Sequence, residues 1–346
     1  MKYIILTITL ILMLALPVRA EEIQVPDAPS GAQEYMPSEP QNFTEGLIYV
    51  LGKAAASVAP EFKRCAGVCV SLIGIVLLCS VLRNFAGLTQ KILDLASALM
   101  VGMLLLSPSN TLINLGASTV KELTEYGKLF LPAMATALAA QGGAATSAAI
   151  YTATMAFSVL LSTAISKVVV PIIYIYICLS IVSCAIDDEL IKNLKALAKW
   201  LATWCLKLTL YVFMGYMTIT GVISGTADAT AIKAMKLSIS AVVPVVGKIL
   251  ADASETILVS TAAVKNAAGM YGLFAMLCIW IGPFVKIGLQ YILLKLTGAV
   301  STAFGNSKAT AIIKDFSVSM GFVLAMTGTL CLLLIISTVC FMRGAG

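Results

Sequence analysis

Residues Val243–Gly272 read VPVVGKILADASETILVSTAAVKNAAGMYG, and the apolar run that follows closes with IWIGPFV at 279–285. An earlier stretch keeps the same spacing. It opens LPAMATALAAQGGAATSAAIY at Leu131 and closes with VVVPII around Pro171. Shifting it by 112 positions (244 less 132) lays Pro132 on Pro244, Pro171 on Pro283 and Leu161 on Leu273. Two repeat units follow from this spacing, about 129–224 and 240–342. Each reads as a broken helix pair, a proline-bearing span, a lysine-bearing amphipathic segment and a final span. Internal repeats with broken helices at their interface are common in membrane transport proteins.

Composition sets the class. Of 346 residues, 60% are hydrophobic and 12% charged. A soluble domain is nearer half apolar and a quarter charged. The fold class is therefore all-α: a polytopic integral membrane protein with several transmembrane helices, amphipathic interfacial helices and an internal repeat. The net charge of +6 is too small for a basic nucleic-acid face. There is no histidine, which removes Ser-His-Asp, Cys-His and HExxH chemistry. The nine cysteines lie in apolar runs without a CxxC, so neither a disulfide framework nor a zinc cluster is signalled. No GxxxxGK[ST] occurs, so any nucleotide use falls to a partner. No catalytic set, cofactor site or metal site is expected.

In chain order, 1–20 read as a signal peptide. Lys2 is its basic start, Tyr3 to Leu16 its apolar core, and Val18-Arg19-Ala20 its cleavage site, with cleavage after Ala20. Residues 21–45 read as an extracytoplasmic polar leader with four prolines, too poor in apolar surface to fold alone. A multispan membrane domain covers 46–346. Its first span is Cys65 to Leu82, after a weakly amphipathic 43–62. A shorter apolar run, 92–106, contains Asp94. Ser107-Pro108-Ser109-Asn110 is expected to break the chain before an amphipathic helix over 111–128. Gln141-Gly142-Gly143 is expected to break the next run, and Val168 to Ile186 is a span. Leu190 to Leu208 reads as an interfacial helix with the basic stripe Lys192, Lys195 and Lys199, followed by a separate span over 208–223. The helix carrying Lys248, Asp252 and Glu255 is expected to end at Lys265-Asn266. Ala267 to Val285 and Phe316 to Met342 are the later spans, with the C-terminus outside. Placing both lysine-rich segments inside gives the two units one orientation.

A charge within the bilayer marks an ion pair, a wet path or a partner surface. The candidates for a polar pathway or an intramembrane pairing are Asp94, Lys248, Asp252, Glu255, Lys265 and Asn266. Lys248 and Asp252 are four apart and equally suit a plain surface pair. Lys167 and Lys207 sit near span ends, where they suit snorkelling to the interface. Pro132, Pro171, Pro244 and Pro283 mark the repeat.

The leader, LPxxxxxLAAQGGxxxSAA from Leu131, VPVVGKILADASETI from Val243, VKNAAGMYG from Val264 and KDFSVSMGFVLAMTGT from Lys314 together resemble the stage III sporulation protein AE family. The resemblance implies a multispan subunit of a channel-like, secretion-like complex. That complex lies in the mother-cell membrane around the forespore of an endospore-forming bacterium and supports forespore development. It implies partners: ring-forming proteins, a partner ATPase and other subunits of the stage III complex. It supplies no catalytic residues and no cargo. The residues alone also allow a stand-alone secondary transporter, or a scaffold on which the complex assembles.

Overall fold

The computed structural model describes residues 26–37, 43–85, 90–141, 143–185, 188–219, 246–304 and 307–343. The side chains of 43, 83–91, 185, 219, 246–264 and 307 are not described. The signal peptide with Ala20, Pro244 and most of the crossing between the two repeat units lie outside the described residues.

A short helix, α1 (Ser30–Gln33), precedes the long helices α2 (Phe43–Phe85), α3 (Gln90–Ala140) and α4 (Ala144–Ala164). A wide π turn at Ile165–Val169 joins α4 to α5 (Val170–Ala185). Then come α6 (Glu189–Ile219), α7 (Val246–Thr302) and α8 (Ser307–Arg343). Taking α4, the π turn and α5 as one rod, six helical rods are long and apolar enough to cross a membrane. The protein is an all-α polytopic membrane protein.

The π turn has a local cause. Pro171 has no N–H to give to the carbonyl four residues back. The Val170 N–H instead reaches the Ile165 carbonyl, five residues back. The wider turn absorbs the proline without breaking the rod.

The centre of the bundle is α8, which touches α3, α4, α5, α6 and α7. Its sequence explains the position. Ile312, Phe316, Met320, Val323, Leu330 and Phe341 are all fully buried, and so are Ser319, Thr327 and Ser337 on other faces. A helix apolar all round has no face to give to water and goes to the middle. Several of its hydroxyls are satisfied locally: Ser319 donates to the Asp315 carbonyl and Thr338 to the Leu334 carbonyl. One pair ties two helices. Thr154 Oγ1 on α4 donates to Ser337 Oγ on α8 at 2.7 Å, and Ser337 donates to the Leu333 carbonyl. Replacing Ser337 by alanine should lower stability by about 1 kcal/mol, the usual net worth of an intramolecular hydrogen bond. A double-mutant cycle with Thr154→Ala, read by thermal unfolding in detergent, should return the same coupling.

Helices are longer and fewer than the sequence suggests. Ser107-Pro108-Ser109-Asn110 does not break the chain: α3 runs through both Pro108 and Pro132. Membrane helices tolerate proline because neighbouring groups and local adjustments take up the freed backbone carbonyl. The segments 43–62 and 65–82 are one helix, and 190–208 continues without a break into the next expected span as far as Ile219. Gln141-Gly142-Gly143 does separate α3 from α4. Its counterpart in the second unit is absent, because α7 continues through Lys265 and Asn266 to Thr302. Ala267 follows Asn266, and no glycine pair stands there to end the helix.

Candidate functional site

Three turns, α2–α3, α5–α6 and α7–α8, lie at one end of the bundle. Ser80 Oγ donates to the Phe304 carbonyl at 3.0 Å and Lys308 Nζ to the Cys184 carbonyl at 2.7 Å, which ties the three together. The second contact follows from helix chemistry. Cys184 sits in the last turn of α5, where carbonyls lack intrahelical partners and a cation is favoured.

About 10 Å inward from this turn end, by helical rise, lies the main ionic contact inside the bundle. Lys195 Nζ on α6 meets Asp315 Oδ2 on α8 at 2.8 Å. Tyr176 on α5 donates its hydroxyl to Asp315 Oδ1 at 2.9 Å. The two charged side chains are 23% and 15% exposed. Both carboxylate oxygens are therefore satisfied, and three helices are joined at one point. The Lys195 stripe and Lys308 thus stand at the same end of the bundle.

A second polar layer surrounds the Pro108 turn of α3. On one side a groove of about 450 Å³ is lined by Ser107, Ser109, Asn110, Tyr174 and Cys178. Tyr174 donates its hydroxyl to Asn110 Oδ1. On the other side a groove of about 210 Å³ is lined by Glu61, Arg64, Ser107, Thr111, Lys286 and Gln290. Glu61 lies 3.7 Å from Arg64 and 3.8 Å from Lys286. The Ser109 hydroxyl and the Gln290 amide nitrogen are buried without a hydrogen-bond partner among the described residues. Each lines one of these grooves, and buried polar groups of this kind are met by water. A third groove, about 400 Å³, opens between α6, α7 and α8 beside Lys199, Lys207 and Tyr291.

The residues singled out from sequence are spread over the bundle. Asp94 is half-buried in the first turns of α3, close to the turn end, and Ser97 donates to its carbonyl. Lys265 is buried and Asn266 exposed on α7. By helical rise they stand about 55 Å from the turn end, so Asp94 is not their neighbour. Lys248, Asp252 and Glu255 lie on the first turns of α7, and their side chains lie outside the described residues. Pro132 and Pro283 sit inside α3 and α7, and Pro171 is the second residue of α5.

The clasp residues were missed. A signal was available: after Glu255, Asp315 is the one carboxylate in the rest of the chain. A lone acid entering a strongly apolar helix needs a partner. Which lysine provides it is not readable from spacing, since Lys192, Lys195 and Lys199 share one stripe.

A family model described as Stage III sporulation protein AE matches residues 40–346. The chain belongs to the stage III sporulation protein AE family. A curated family member, Stage III sporulation protein AE of Bacillus subtilis (strain 168), is 23% identical over 235 residues. That match covers 68% of this chain and 59% of the relative, so the chain matches less than two thirds of the relative's length. No solved structure matches the chain. Family membership makes this a sporulation membrane protein, and the matched residues include the clasp, both grooves at Pro108 and all six rods.

Proposed function

We propose that this chain is the multispan membrane subunit of a channel-like sporulation complex. The complex acts in the mother-cell membrane around the forespore and supports forespore development. The subunit is not an enzyme. It works with ring-forming partners, and a partner ATPase supplies any nucleotide energy. The three turns face the mother-cell cytoplasm. Supporting this orientation, Lys192, Lys195, Lys308 and Lys314 all fall within about 10 Å of the turn end.

The observation that carries the subunit reading over a stand-alone transporter is the packing of the bundle centre. Phe130, Phe213, Phe274, Phe316 and Phe341 are fully buried there. The three grooves each lie between two or three neighbouring helices. A solute path then runs between this chain and its neighbours in an assembly.

Deleting the gene in its spore-forming host should leave engulfed forespores that collapse and fail to start late gene expression. A wild-type copy should restore both, and a fluorescent fusion should ring the forespore. Normal spores from the deletion strain would sink the proposal. Specific substrate uptake by the purified chain alone in vesicles would favour the secondary transporter. The scaffold reading predicts normal sporulation after neutralising Asp94, Asp252 and Glu255 together.

A further inference from the structure

The long helices do not fit inside a bilayer. At 51 and 57 residues, α3 and α7 are about 77 and 86 Å long at 1.5 Å per residue. The hydrocarbon layer is about 30 Å thick. Fitting α3 within it would need a tilt of about 67°, well outside the observed range of up to about 40°.

The bundle surface shows which part is in lipid. Over the half nearest the three turns, many of the exposed side chains are large and apolar. They include Val70 and Leu78 on α2, Met103 on α3, Ile175 on α5, Trp204 on α6 and Ile292 on α7. This belt ends at a ring of exposed cations, Lys63, Arg64, Lys167 and Lys207. By helical rise the ring stands about 27–33 Å from the turn end, one hydrocarbon thickness away. Long cations of this kind snorkel at an interface.

Beyond the ring the exposed faces of α3 and α4 change, while α2 and α6 go on exposing Ile48, Leu51, Leu208, Tyr211 and Val212. The exposed face of α3 becomes Asn114, Ser118, Lys121, Glu122, Glu125 and Lys128. The exposed face of α4 over its first turns is Ala144, Ala145, Ala148, Thr152 and Ala156. The decisive element is the segment 26–37. Its Ala28 N–H donates to the Tyr271 hydroxyl at 3.3 Å. Its Tyr35 ring covers Gly282, where an added Cβ would sit 3.5 Å away. These two α7 residues lie about 46 and 30 Å from the turn end. Outside its one helical turn this segment has irregular backbone, and Asp27 and Glu34 are exposed. Irregular backbone facing lipid does not occur inside the hydrocarbon layer.

We infer that only the half of the bundle next to the three turns is embedded in lipid. The other half stands in water on the N-terminal side of the membrane, as a helical stalk with the segment 26–37 strapped along it. This rests on the six-span reading and not on the sporulation role, so it can fail while that role stands.

The test uses full-length, cysteine-light protein in intact membranes and a membrane-impermeant maleimide, with single cysteines at Asn114, Glu125 and Ala148 in the stalk and at Met103 and Ile175 in the belt. The stalk cysteines should label to completion from the N-terminal side. The belt cysteines should stay at background from both sides and label only in detergent. In the unmodified protein, an impermeant amine reagent applied on the N-terminal side should acylate Lys53, Lys121 and Lys128, read by mass spectrometry. Failure of those native lysines to react overturns the stalk. So does labelling at Asn114 and Glu125 with none at Ala148, which would instead make the α3 face the wall of a wet path inside the bilayer.

Discussion

Asp315→Ala is expected to destabilise the bundle by about 3 kcal/mol, because it leaves the Lys195 ammonium in a low-dielectric site without its counter-charge. The 2.8 Å contact and the low exposure of both side chains place the pair well inside the range where a missing partner is costly. The same change takes from Tyr176 the acceptor of its hydroxyl. Asp315→Asn keeps the size and one acceptor and removes the charge, so it should fall between wild type and alanine. The double variant Lys195→Met with Asp315→Leu should recover most of the loss, since a buried pair replaced by apolar groups of similar volume is near neutral. The readouts are thermal unfolding in detergent and steady-state abundance in the membrane. Equal losses in Asp315→Ala and the double variant would mean that the ionic contact is not what the site depends on. The double variant also separates roles. If it is abundant but spores fail, the clasp does more than hold α5, α6 and α8 together.

The contrast between what was legible and what was not follows from the solvent. Hydropathy alone identifies a multispan all-α protein, since apolar runs of span length have one stable form in lipid. The Gly142-Gly143 break is legible for the same local reason: two glycines carry little helix propensity. Helix ends elsewhere are not legible, because the usual soluble signals lose force. Pro108 and the polar residues beside it resemble a loop in water, yet α3 continues through them, as helices can in a bilayer where a break would leave more backbone unsatisfied. The clasp is hidden for another reason. Asp315 and Lys195 are 120 residues apart, and no local period links them. Asp94 and Lys265 were legible as buried charges, but the sequence carries no measure of the roughly 50 Å between their levels. The leader was read as too poor in apolar surface to fold alone, and a packing partner for it is not legible from spacing. Segment 26–37 gains its order from Tyr271 and Gly282 of α7, with Ala28 and Ala32 buried.

Gly272→Leu should be the most damaging single steric change. A Cβ at Gly272 would meet the Phe130 ring, which is fully buried and stacked on Tyr126 at 5.7 Å. The ring cannot swing outward into water, and the interior has native density, so the clash must move α3 away from α7. Gly269, one turn earlier, repeats the arrangement against Met342 of α8. These two glycines are what lets the backbone of α7 approach both neighbours, because without side chains they leave room for Phe130 and Met342. Overpacking costs about 1–3 kcal/mol even for modest additions, so Gly272→Ala should fall in that range and Gly272→Leu at its top or beyond. Shortening the partner with Phe130→Leu should rescue Gly272→Ala, since the ring atoms in conflict are gone. Gly288 provides the control on the same helix. An added Cβ there meets nothing within 4 Å, so Gly288→Ala should raise stability by up to about 1 kcal/mol through helix propensity. Thermal unfolding of the three alanine-scale variants decides the matter. Opposite signs at 272 and 288 would place the effect in the contact with Phe130. Equal shifts would place it in the helix backbone and remove the argument that α3 and α7 are held at glycine distance.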